Sequence, residues 1–133
     1  MHKEKLRKLA EAWIFHAREI AEEKVTETHA WAWDEEFDLK YENPNLLWEL
    51  IQEIHARDEN ASVAEILSAG PLEDLLSMHG PDFIDLIETK AKKDPSFACL
   101  LGGVWKSSTN DKVWERVQKV WDRKGWDGIP KES

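Results

Sequence analysis

Four of the five prolines stand directly after Asn43, Gly70, Gly80 and Asp94, each pair opening an apolar run with three- and four-residue spacing. Proline has a fixed φ and no N–H, so it suits the first turn of a helix, where the missing donor would have had no intrahelical acceptor. In the middle of a sheet each would delete a ladder bond. Asn and Asp before proline add a side-chain oxygen that accepts from the amides of the first turn. The spacing therefore predicts helices opening near residues 44, 71, 81 and 95.

The apolar stripes agree. Leu6, Leu9, Ala10, Trp13, Ile14, Ala17, Ile20 and Ala21 recur at helical steps and predict one long amphipathic helix over 1–25, with Phe15 and His16 beside the stripe. A second helix contains WAWDEEFDL, pairing Trp33 with Phe37 inside and leaving Lys40 on the polar side. NPNLLWELIQEIHARD follows, with the stripe Leu47, Leu50, Ile51 and Ile54. Ser62 and Glu65 have capping-box spacing for a short helix through Ile66 and Leu67, which Gly70-Pro71 stops before another begins through Leu72, Leu75 and Leu76. Gly80-Pro81 repeats the device ahead of Phe83, Ile84 and Ile87. Asp94-Pro95 opens a helix through Phe97, Leu100 and Leu101, extending toward Val104 and Trp105, and Gly102-Gly103 marks its termination or a close helix contact. A last helix from about Asp111 carries Val113, Trp114, Val117, Val120 and Trp121 and is expected to end at Gly125.

These stripes predict an all-α fold of about seven short helices, stacked as helical hairpins in a bundle or short α-solenoid, with no sheet. A chain of 133 residues suits one domain. The expected division is the N-terminal helix (1–25), a core over 28–126 and a tail over 127–133. There is no apolar run near 18 residues, and the first 23 residues carry charges throughout, so neither a membrane span nor the apolar heart of a signal peptide is expected. A cytoplasmic location follows as an expectation. The lone Cys99 cannot form an internal disulfide.

The net charge of -9 is uneven. Residues 25–94 hold 5 basic and 17 acidic side chains, a balance of -12 between near-neutral ends. Such a surface repels phosphate backbones and attracts basic proteins, which argues against direct nucleic-acid binding and for a basic protein partner.

The words WAW with acids after it, NPNLLWELIQEI, AGPLEDLLSMHGPDFID and KKDPSFACLLGGVW together resemble a family of small bacterial proteins catalogued as a domain of unknown function. The resemblance spans about residues 28 to 126. It implies an all-helical fold and no established activity, so it carries no catalytic residue onto this chain.

Chemistry has to be sought residue by residue. His29 with Asp34 and Glu35, or His55 with Asp58 and Glu59, have metal-binding atom types without a recognised ligand spacing, and both sets read as solvated helix ends. His79 reads as a cap at a helix C-terminus. Cys99 sits in an apolar run as an inert thiol. Ser107, Ser108 and Thr109 read as turn and N-cap residues. No catalytic residue, metal ligand or cofactor site is assigned.

Tryptophan occurs eight times, mostly at core spacing. Trp31 and Trp33 are two residues apart, about 200° around a helix, so both cannot face inward. With Trp33 inside, Trp31 either covers the helix start against the first helix or stands partly exposed among acids. The candidate partner-binding residues are Trp31, Asp34, Glu35 and Asp38, with Glu73 and Asp74 as a second acidic pair. The leading expectation is a non-enzymatic acidic module that docks a basic protein, an immunity or antitoxin-type protein being one form. The alternatives are a self-associating structural protein and a small carboxylate-dependent metal hydrolase.

Overall fold

The structure, a computed structural model, describes residues 2–58, 60–124 and 126. Among them every regular element is helical, and the chain divides into two compact units, Met1–Leu67 and Ser68–Ser133.

The first unit holds α1 (His2–Ala21), α2 (Ala30–Glu42), α3 (Pro44–Arg57) and α4 (Ala61–Leu67), with α1 packed against the other three. Its core takes Leu9, Ala10, Trp13 and Ala17 from α1, Leu47, Leu50, Ile51 and Ile54 from α3, and Val63 and Leu67 from α4. Asn43 caps α3 as its sequence demands, its side chain accepting from the Leu46 amide at 3.1 Å. The cap of α4 differs from the expected Ser62–Glu65 box. Asn60 stands before the helix and its Oδ1 accepts from the amides of Ser62 (2.9 Å) and Val63 (3.3 Å). Beyond α1, Lys24 N–H bonds the Glu19 carbonyl and Glu23 N–H that of Ile20, a Schellman closure with Glu23 at φ 58°. That left-handed position is one that glycine occupies at less cost.

The second unit holds a π-helical turn (Ser68–Leu72), α5 (Glu73–Lys93), α6 (Pro95–Leu101) and α7 (Asp111–Val120). Gly70-Pro71 does not stop a helix here: the wider π turn takes up Pro71 and runs on into α5. At Gly80-Pro81, in contrast, α5 consists of two helical stretches joined across a kink, as the sequence predicts. His79 has non-helical angles (φ -134°, ψ 20°) and stands where the first stretch ends, because Pro81 supplies no N–H to the preceding turn. Gly80 lies against α7, where an added Cβ would come within 3.0 Å of Val113 Cγ1. Asp94 caps α6 by accepting from Ser96 and Phe97, and Asn110, not Thr109, caps α7 by accepting from Lys112 and Val113. α7 ends at Val120, and Gly125 and residues 127–133 fall outside the described residues.

The Gly102-Gly103 pair both ends α6 and admits a close neighbour. A Cβ on Gly102 would run into the Asp122 carbonyl, and one on Gly103 would sit 2.6 Å from Ser68 Oγ and 2.7 Å from the Trp126 ring. The segment after α7 caps α6: Asp122 N–H bonds the Ala98 carbonyl, Trp126 Nε1 that of Cys99 at 2.8 Å, and Arg123 that of Gly102 at 2.7 Å.

Candidate functional site

At about 100° per residue, Ala32, Glu36, Leu39 and Lys40 fall within about 100° of one another on α2, and Trp31, Asp34, Phe37, Asp38 and Tyr41 within about 120° on the opposite side. The first set is buried. The helix therefore buries a glutamate and a lysine while leaving Phe37 51 % and Tyr41 63 % exposed. The expectation that Phe37 pairs inward with Trp33, and that Lys40 lies on the polar side, is corrected on both counts.

The reason is the layer formed with α1. Trp33 stacks on Trp13 with ring centroids 5.4 Å apart and donates its indole N–H to the Trp13 carbonyl. His16 meets the Trp33 ring edge-on at 5.0 Å. Trp13 in turn donates its indole N–H to Glu36 Oε1 at 3.3 Å, so the buried carboxylate satisfies the buried donor. Outside, Lys40 Nζ lies 3.9 Å above the Phe37 ring and Phe37 meets Tyr41 at 5.8 Å, leaving this pair as a surface cluster held by cation–π and edge contacts.

Trp31 is 47 % exposed and also lines a shallow groove along α1. One stretch of the groove is bounded by Glu4, Lys5, Lys8, Leu9 and Glu35, the next by Lys8, Glu11, Ala12, Phe15 and His29, with Trp31 common to both. Asp34 and Asp38 are exposed and Glu35 half-buried.

Four of the six candidate residues, Trp31, Asp34, Glu35 and Asp38, thus share one helix. Glu73 and Asp74 belong to the second unit, in the first turn of α5. Glu73 is engaged internally, accepting from the Trp105 amide at 3.0 Å and from Ser107 Oγ at 2.7 Å, which ties the loop after α6 to α5. Ser107, at φ 46°, is therefore a loop anchor and not a cap. The missed members of the α2 face, Phe37 and Tyr41, share a clear signal with it: Ala32 and Leu39 are seven residues apart and define the buried side more tightly than the bulky Trp33–Phe37 pair.

Neither histidine set gathers a metal site among the described residues. Among the described residues no group of three or more His, Cys, Asp or Glu side chains is placed to hold a metal ion. His55 is buried and not a solvated helix end, and Asp58 accepts from Arg18 at 2.8 Å, while Glu59 falls outside the described residues. His29 packs its ring on Phe15 at 4.3 Å, and its Nδ1 is buried with no hydrogen-bond partner among the described residues. Cys99 is half-buried, its Sγ donating to the Lys124 carbonyl at 3.4 Å.

Titration follows specific pairs. The Thr26 hydroxyl bonded to Glu19 at 2.6 Å, with help from His16, holds that carboxyl below its usual value. Arg116 does the same to Glu88, and in return its own guanidinium is held more firmly charged by Glu88 and Asp85. Lys106 lowers Asp111 in the same way.

Among the described residues no helix is long and apolar enough to cross a membrane. No curated protein and no solved structure matches the chain. The family model for a family of unknown function, DUF6869, matches residues 20–125, which span α2 through α7, and the chain belongs to that family.

Proposed function

We propose that the protein is a non-enzymatic docking module whose α2 outer face engages a basic protein partner. The observation that carries this reading is that one helix presents three exposed large aromatics, Trp31, Phe37 and Tyr41, interleaved with the exposed carboxylates of Asp34 and Asp38. Exposed aromatics supply the apolar contact area on which binding hot spots are built, and flanking carboxylates steer cationic partners. Neither carboxylate has an ion-pair partner among the described residues. Glu73 takes no part, since its oxygens already hold the loop after α6.

Self-association through the same aromatics is disfavoured by the charges. In a two-fold contact this face would meet itself and set its Asp34 and Asp38 carboxylates against those of the second copy, which like-charge repulsion opposes.

The test is affinity capture from the native cell with three baits: the wild-type chain, Asp34→Lys/Asp38→Lys and Trp31→Ala. A basic protein retained by the first and lost from the other two is the expected result. Equal retention by all three, or a retained partner of acidic character, contradicts the reading.

A further inference from the structure

The groove beside Trp31 differs in charge from the face it borders. On its α1 wall, Glu4 and Glu11 are matched within the fold: Arg7 reaches Glu4 at 3.7 Å and Glu11 at 3.1 Å, and Arg57 reaches Glu11 at 3.2 Å. Lys5 and Lys8 are exposed, three residues apart on the same helix, and neither has an anionic partner among the described residues. Like charges at that spacing repel, so the pair stands as an uncompensated positive edge. On the other wall Glu35 likewise has no ion-pair partner among the described residues, with Asp34 and Asp38 beyond it. Between the two edges lie the exposed Trp31 ring and the buried side chains of Leu9 and Ala12, which give the groove an apolar floor.

We infer that the segment docking here is not uniformly basic but bipolar: an amphipathic helix with basic side chains along the edge meeting α2, acidic side chains along the edge meeting Lys5 and Lys8, and an apolar anchor between them against Trp31. This rests on reading the α2 face as the docking surface and deepens it. A segment with cations on both edges would place one row against Lys5 and Lys8 whenever its anchor sat on Trp31, and juxtaposed like charges reject a partner more strongly than matched ones attract it. The bipolar pattern also fixes direction, because turning the segment end for end exchanges its edges.

Three synthetic tryptophan-free helical peptides with one shared leucine stripe separate the possibilities. Their rims are lysine on both edges, glutamate on both edges, or glutamate on one edge and lysine on the other. Binding is read by fluorescence anisotropy at low salt. The split-rim peptide is expected to bind about tenfold or more tighter than the all-lysine one. Lys5→Glu/Lys8→Glu should reverse that order, Lys5→Gln/Lys8→Gln should abolish the preference, and Trp31→Ala should weaken both peptides. Thermal melts check that each variant is folded. If the all-lysine peptide binds wild type as tightly as the split one, the bipolar inference is overturned and the basic-partner reading stands. If the all-glutamate peptide binds best, or neither lysine-bearing peptide binds, both fail.

Discussion

Trp33 lies stacked on Trp13 and donates its indole N–H to the carbonyl of that same residue, 3.3 Å away. One residue of α1 therefore receives both an apolar face and a hydrogen bond from α2, and the helix has to present its Ala32–Glu36–Leu39 side inward to make them. That rotation sends Phe37 to the surface.

Truncation should show the difference. Trp33→Ala removes a stacked, half-buried indole and should cost about 3 kcal/mol, at the low end for aromatic deletions. Phe37→Ala removes an exposed ring and should cost about 0.5 kcal/mol. Chemical denaturation of both variants measures the gap. Equal losses would contradict the assignment of faces.

The left-handed Glu23 yields a stabilising substitution. At φ 58° a side chain carries a penalty that glycine avoids, so Glu23→Gly should raise stability by about 1 kcal/mol. A fall in the melting temperature would contradict the Schellman closure of α1.

Glycines of the second unit should respond oppositely to alanine. A Cβ at Gly103 meets Ser68 Oγ and the Trp126 ring, so Gly103→Ala should cost about 2 kcal/mol. At Gly70 nothing lies within 4 Å of the added Cβ, and Gly70→Ala should be neutral or mildly stabilising. Paired melts of the two variants check this.

Much of the fold was legible because its signals are local. Asn43-Pro44 and Asp94-Pro95 cap their helices where the sequence predicts, since cap and first-turn chemistry involve only neighbouring residues. Gly70-Pro71 carries the same punctuation, yet whether the chain stops there or widens into a π turn depends on packing that no local pattern encodes. Ser62–Glu65 and Asn60 are both cap chemistry, and backbone geometry decided for Asn60. At the candidate site, angular arithmetic showed that Trp31 and Trp33 could not both face inward but left open whether Trp31 covers the helix start or stands exposed; it is 47 % exposed. Lys40 was misread and the burial of Glu36 missed, because these depend on the Phe37 ring and on a partner 23 residues away. Lys5 and Lys8 were invisible as a groove wall until α1 and α2 were set side by side.

The ionic pairs give an acid limb with a defined sign. Glu88 has a native pKa below its ordinary value of 4.5, owing first to its hydrogen bond with Arg116. The unfolded chain therefore binds this proton more readily. The pair's contribution is fully present above the ordinary value and is lost as pH falls through the native one. Arg116→Gln should move the Glu88 carboxyl upward and remove its share of that slope, while leaving stability near neutrality only slightly changed. Side-chain carboxyl titration by NMR in both proteins measures it. An unmoved Glu88 would contradict the bidentate pair.

The central claim is that the outer face of α2 meets a basic partner while its inner face holds the fold. It is tested most directly by association kinetics of the captured partner with wild type and with Asp34→Lys/Asp38→Lys, each at two salt concentrations, beside thermal melts. The account predicts melts within about 0.5 kcal/mol per substitution, a slower association and a flattened salt dependence. An unfolded variant, or an association rate and salt dependence equal to wild type, would contradict it.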